Sequence, residues 1–111
     1  MDWFRGRGVV RLDPVALKAQ AAAADVQIEA LHAHMLEARE AIPELETAPG
    51  AKAIDDQMFD VYRLNVAYRD FVDAVTTRYV PGPDGMVEMS QREYDRLSAA
   101  AREWAKKVGS P

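Results

Sequence analysis

Apolar residues recur along the first half of the chain in alternating steps of four and three, the heptad spacing of a helix that packs along one face. Asp13 is a typical N-cap, and Pro14 suits the first helical position, where a missing N–H costs nothing. Pro43 is expected to end the helix near Ile42 because proline clashes with the preceding turn. The pattern therefore predicts a long helix over residues 14–42. The members of its stripe are Leu17, Ala21, Ala24, Ile28, Leu31, Met35, Ala38, Ile42 and Leu45.

A second stripe with the same spacing follows a loop at residues 47–50 and predicts a helix over residues 51–79. Because the loop is short, we expect the two helices to fold back on each other as an antiparallel hairpin. Asn65 is the polar member of this stripe, and two interpretations stay open: it fixes the register of the helix pair, or it lies at an edge and binds water. The stripe contains Ile54, Met58, Val61, Asn65, Tyr68, Val72, Val75 and Tyr79.

The segment after the second helix is predicted to turn. Pro83-Asp84-Gly85 is a tight-turn sequence. Val80 with Met86 and Val87 is expected to form a small hairpin around that turn.

A third, shorter helix is predicted over residues 90–108. Ser90 and Glu93 have the spacing of a capping box, and Gly109 is a typical helix stop. The predicted fold class is therefore all-α, a long antiparallel helical hairpin plus a C-terminal helix.

Charge divides the chain into a basic arm, residues 1–12, and a single helical domain, residues 13–111. The arm has a charge of +2 and residues 13–47 have −5, within a total of −4 for the 111 residues. The chain contains no cysteine, which excludes disulfides and thiolate metal sites. No apolar run reaches the roughly 18–20 residues needed to span a bilayer, and no signal segment is recognised. We therefore expect a cytoplasmic protein that does not cross a membrane.

Candidate catalytic and metal-binding residues are few. His32 and His34 lie two residues apart, so on a helix their rings point in different directions and do not share an ion. Asp56 and Asp60 share a helix face, but a solvated face does not raise a carboxyl pKa as acid–base catalysis requires. We expect a protein that is not an enzyme, with no metal, cofactor or small-molecule substrate.

The N-terminal arm interleaves aromatic and basic side chains. Trp3, Arg5, Arg7 and Arg11 are a candidate nucleic-acid contact, because rings stack on bases and arginines pair with phosphates. The alternative is that Trp3 and Phe4 pack on the hairpin or on a partner.

The apolar surface exceeds what three helices of unequal length bury among themselves. The aromatic residues are expected to fill the core, namely Phe59, Tyr62, Tyr68, Phe71, Tyr79, Tyr94 and Trp104. Part of the heptad face on the first helix is then expected to remain exposed and to bind a protein partner or a second copy, which predicts a homo-oligomer. The candidate partner-binding residues are Leu17, Ile28, Leu31, Met35, Ile42 and Leu45.

Residues 53–111 resemble the C-terminal half of a family of phage terminase small subunits. The similar features are Asp55-Asp56 before an aromatic helix (residues 58–71), a glycine-bearing loop (residues 82–87), and a last helix ending in Lys107-Val108-Gly109-Ser110-Pro111. This resemblance implies a phage-encoded, oligomerising adaptor in DNA packaging that engages a large motor subunit.

A second likeness is to the helical-hairpin substrates of actinobacterial type VII secretion. It is carried by Val9-Val10-Arg11-Leu12-Asp13-Pro14 followed by an alanine-rich helix. This likeness implies a secreted partner protein instead. A regulatory protein that binds a host factor is a further alternative.

Overall fold

The computed structural model of the protein describes residues 8–109, which are mainly helical. Two long helices and a C-terminal helix dominate, and a small two-stranded sheet accompanies them, which confirms the predicted all-α class. The elements in chain order are β1 (Val9–Leu12), α1 (Pro14–Ala41), a short 3₁₀ helix (Pro43–Glu46), α2 (Ala51–Arg78), β2 (Val87–Ser90) and α3 (Gln91–Gly109).

Local sequence signals explain where α1 begins and ends. The Asp13 carboxylate accepts hydrogen bonds from the backbone N–H groups of Val15 and Ala16, at 3.0 and 3.2 Å, and so caps the helix. Pro14 is the first helical residue, and the helix ends one residue earlier than predicted, at Ala41. The 3₁₀ helix beyond it was not predicted from the sequence.

Side-chain bonds between α1 and α2 define their antiparallel pairing. The Tyr68 hydroxyl donates to Gln20 at 3.0 Å, and the Asn65 amide donates to Asp25. Nearer the loop, Arg39 forms an ion pair with Asp55. Residue numbers on α1 therefore rise as their partners on α2 fall, as an antiparallel hairpin requires.

The two strands that pair with each other lie near opposite ends of the sequence. β1 and β2 are antiparallel, with Val9 opposite Ser90 and Leu12 opposite Val87. The predicted small hairpin of Val80 with Met86 and Val87 is therefore wrong. Pairing with β1 buries Val87 and Met89 beneath the sheet, whereas Val80 stays 90% exposed.

The hydrophobic core lies at the end of the hairpin that carries the sheet. Val75 and Val87 are its most buried members, and the Phe71 and Tyr94 rings meet edge to face with centroids 5.8 Å apart. Its buried residues are Ala21, Phe71, Val72, Val75, Val87 and Met89, with Val10, Leu12, Leu17, Tyr68, Tyr79, Tyr94 and Leu97 packed against them. Among the described residues, Ala51 and Asn65 are the buried residues that fall between positions 22 and 67, and neither belongs to this cluster.

The protein is elongated because the hairpin extends beyond this core. Its dimensions are 64 × 26 × 18 Å and its radius of gyration is 18.4 Å, against about 13 Å for a compact domain of about 100 residues. We call residues 28–63, which include the loop between α1 and α2, the distal half of the hairpin.

Candidate functional site

An apolar groove of about 330 Å³ lies between α1 and α2 in the distal half. α1 contributes one wall and α2 the other, and α3 contributes no lining residue. The lining residues are Ile28, His32, Met35, Leu36, Arg39, Asp55, Met58, Phe59 and Tyr62. We call this feature the distal groove.

Three large apolar side chains of the distal groove remain in solvent. Leu36 is 54% exposed, Phe59 53% and Tyr62 54%. The prediction that Phe59 and Tyr62 fill the core is therefore wrong, because no other helix within residues 8–109 covers this face of the hairpin. The Arg63 guanidinium lies 5.0 Å from the centre of the Phe59 ring and covers part of it.

The other predicted core aromatics lie in or beside the core, or are half-buried. Tyr68, Phe71, Tyr79 and Tyr94 belong to the core or pack against it. Trp104 on α3 is half-buried, with the Lys107 ammonium 4.2 Å from the centre of its ring.

The six predicted partner-binding residues do not share one surface. Leu17 packs against the core, whereas Ile28 and Met35 line the distal groove. A straight α-helix drifts about 20° per heptad from a 3.5-residue repeat, so a long heptad stripe turns from one face to another.

The remaining three heptad residues are exposed. Leu31 is 48% exposed and Ile42 51%, and neither lines the groove. Leu45 lines a second depression of about 240 Å³ at the loop, together with Ala48 and Ile54.

Sequence reasoning missed four residues of the distal groove as partner-binding candidates. These are the polar or charged residues His32, Arg39 and Asp55, and the apolar residue Leu36. The spacing of positions 28, 32, 35, 36 and 39 places them on one helical face. Because His32 and Arg39 interrupt its apolar pattern, this face was not recognised from the sequence.

The distal half is strongly acidic. Residues 28–63 contain eight acidic and three basic side chains, a net charge of −5, whereas the rest of residues 8–109 is neutral overall. Arg39 and Lys52 are paired with Asp55 and Asp56. Carboxylates without an ion-pair partner among residues 8–109 remain at Glu29, Glu40, Glu44, Glu46 and Asp60.

Asn65 lies where the hairpin leaves the distal half. It is 6% exposed, and its side-chain amide donates to Oδ1 of Asp25 across the helix pair. Arg69 Nη1 lies 3.7 Å from the same carboxylate oxygen. Asn65 is therefore a buried contact between α1 and α2, in keeping with the register interpretation.

A second polar cluster joins the end of α2 to α3. The Tyr79 hydroxyl donates to Glu93 at 2.7 Å, and Arg96 pairs with the same carboxylate. The Arg96 hydrogen bond, and then that of Tyr79, lowers the pKa of Glu93 below its ordinary value. The Glu93 hydrogen bond, followed by burial, raises the pKa of Tyr79.

The histidine pair is exposed in the distal half. His34 Nδ1 lies 3.9 Å from Glu37 of its own helix, and His32 lines the distal groove. No group of three or more acidic or histidine residues suited to a metal ion occurs within residues 8–109.

Of the candidate nucleic-acid contact, Trp3, Arg5 and Arg7 lie outside the described residues. Arg11 lies on β1 and forms ion pairs with Asp84 and, at 3.5 Å, with Glu88. Its charge is therefore largely compensated within the fold.

Comparison of the chain with protein-family models, curated proteins and solved structures finds no match. Within residues 8–109, every helix is too short or too polar to cross a membrane.

Proposed function

We propose that this protein is a small non-enzymatic interaction and assembly protein, which binds another protein chain through the distal groove. The observation that carries this proposal is the exposure of Leu36, Phe59 and Tyr62 around one cavity. Aromatic side chains beside an apolar pocket are the usual anchors of protein interfaces. On a small domain, a contiguous exposed apolar patch usually marks an interaction site.

The described groups with shifted pKa values lie outside the distal groove and belong to contacts within the fold. Burial raises the pKa of Tyr68, and hydrogen bonding raises that of Tyr79, so both phenols stay neutral near pH 7. The pKa of Glu93 is lowered and that of Arg96 raised, so both stay charged. General acid–base catalysis instead requires a pKa close to the working pH.

A narrower proposal is a phage-encoded adaptor in DNA packaging, which rests on the resemblance of residues 53–111 to terminase small subunits. A secreted type VII partner and a regulator of a host factor remain the alternatives. A cytoplasmic location belongs to the same proposal and rests on the sequence alone. For an arm that binds DNA, the Arg5, Arg7 and Arg11 triple alanine variant should lose salt-sensitive binding, and unchanged affinity would exclude the arm.

Photo-crosslinking in the native host tests the interaction proposal. Replacing Phe59 with a benzophenone amino acid should give an adduct of discrete mass with one protein, identified by mass spectrometry as a second copy or a partner. Val80, which is 90% exposed and lies outside the groove, is the matched control position. Met35→Glu in the groove wall should abolish the Phe59 adduct while the helical circular dichroism is retained.

Absence of any Phe59 adduct would overturn the interaction proposal. An adduct of the same mass from Val80 would also overturn it, because the contact would then not depend on the groove.

A further inference from the structure

The net charge of the protein is concentrated around the distal groove. The −5 of residues 28–63 accounts for all of the net charge within residues 8–109. Two of its carboxylates that have no ion-pair partner among residues 8–109, Glu29 and Glu40, are exposed on α1. At about 100° per residue they fall roughly 20–40° beyond Leu36, at the edge of the face that lines the groove. The groove thus combines an apolar floor with an acidic edge.

The groove has the length of a short helix. Its α1 wall runs from Ile28 to Arg39, about 17 Å at 1.5 Å per residue, or three helical turns. An amphipathic helix binds such a groove by placing an apolar stripe on the floor, with side chains at i, i+3/i+4 and i+7 as anchors.

We propose that the distal groove binds a basic amphipathic α-helix of a different protein. The apolar stripe of that helix packs on Phe59 and Tyr62, and its lysine or arginine side chains face Glu29 and Glu40. This inference rests on the proposed function and specifies the partner chemistry.

Charge disfavours a second copy as the occupant. Two distal halves facing each other would bring −5 against −5, and like charges across an interface reduce both association rate and affinity. α3 carries a net charge of +2, but Tyr94 and Leu97 on its apolar face are packed against the core. Among residues 8–109, therefore, no free basic amphipathic helix is available to fill the groove of another copy.

Designed peptides test the inference directly. Three fluorescent helical peptides of about 14 residues, roughly four turns, share one leucine stripe and differ only in a polar face of lysine, glutamine or glutamate. Fluorescence anisotropy with the full chain should show the lysine peptide binding about tenfold tighter than the glutamine peptide, as two ion pairs at the groove edge provide. The advantage should shrink as salt rises, because exposed charges are screened.

Matched variants test which carboxylates cause the preference for the lysine peptide. Glu29→Gln with Glu40→Gln should remove most of the lysine preference and leave binding of the glutamine peptide unchanged. Asp70→Asn with Asp73→Asn removes the same charge outside the distal half and should preserve the preference. Phe59→Ser should weaken binding of all three peptides.

The outcomes separate this inference from the proposed function. Equal affinity for the lysine and glutamate peptides, or equal effects of the two double variants, would overturn the basic-helix inference and leave groove binding intact. A dimer in sedimentation that Phe59→Ser dissociates would make a second copy the occupant, overturning the inference while supporting the proposed function. Failure of all three peptides to bind would overturn the inference, and the crosslinking experiment would still decide the proposed function.

Discussion

The Asn65 side-chain amide on α2 donates a hydrogen bond to Oδ1 of Asp25 on α1, at the one polar position in the apolar stripe of α2. Asn65 is 6% exposed, so this contact is made away from water. It lies between the core of the hairpin and its uncovered distal half. A register slip of the two helices would leave the buried amide without its acceptor, and for this reason the pair favours a single alignment.

Asn65→Ala is expected to lower the free energy of unfolding by about 1–3 kcal/mol, the cost of losing a buried hydrogen bond to a charged group. Urea denaturation of this variant, of Asp25→Ala and of the double variant measures the coupling. Arg69→Ala is the comparison, since that exposed side chain is 3.7 Å from Asp25 and its loss should cost below about 1 kcal/mol. Strict additivity of the Asn65 and Asp25 changes would show that the contact contributes nothing.

Two phenylalanines on α2 are expected to differ sharply on truncation. Phe71 is 6% exposed within the core, and Phe71→Ala should cost about 3–5 kcal/mol through the cavity it leaves. Phe59 is 53% exposed in the groove, and Phe59→Ala should cost less than about 1 kcal/mol. Chemical denaturation of both variants makes the comparison. Similar losses would mean that the distal groove is closed in solution.

Adjacent valines on β1 test the long-range strand pairing. Val10 packs against the core and Val9 is 46% exposed, because successive strand residues point to opposite faces. Val10→Thr retains the branched shape but places a hydroxyl against the core, and should cost about 1–2 kcal/mol. Val9→Thr should leave the thermal midpoint almost unchanged. If β1 did not pair with β2, the two variants would melt together.

Glu93 should contribute a stabilisation that depends on pH. Because Arg96 and then Tyr79 lower its pKa in the folded protein, the ionised carboxylate favours folding. This contribution is full above the ordinary pKa of about 4.5 and is lost as the pH falls through the lower folded value. Glu93→Gln should therefore melt below the wild type at pH 7, and the difference should shrink below about pH 4.5.

Thermal melts of both proteins from pH 7 to pH 3 measure this effect. Glu103→Gln removes the same charge from α3 and corrects for the altered net charge. A Glu93→Gln difference that stays constant over the range would show that the Tyr79–Glu93–Arg96 cluster does not form in solution.

Local chemistry made the helices predictable. Asp13 and Pro14 define the start of α1, and Pro43 blocks its continuation, so its span was predicted to within one residue. Ser90 likewise caps α3, since its hydroxyl accepts from the Glu93 backbone N–H at 3.1 Å. These signals act over three or four residues and depend on no distant part of the chain.

Which strands pair, and which aromatic side chains are buried, depends on residues that are far apart in the sequence. The local sequence pattern allows Val87 to pair either with Val80 or with β1. Pairing with β1 buries Val87 beneath a sheet against which α3 packs. Phe59 and Phe71 have the same side chain on the same helix, yet only Phe71 meets the ring of Tyr94.

The sequence by itself determined the helices, their ends, the hairpin and the acidic character of the first half, because capping, proline geometry, periodicity and charge are local properties. Only the tertiary structure decided that the core occupies one end of the hairpin, that β1 joins β2, and that Asn65 is buried against Asp25. It also decided that Phe59 and Tyr62 border an open groove rather than a core. Burial depends on which elements meet, and that is set by packing between residues far apart in the chain.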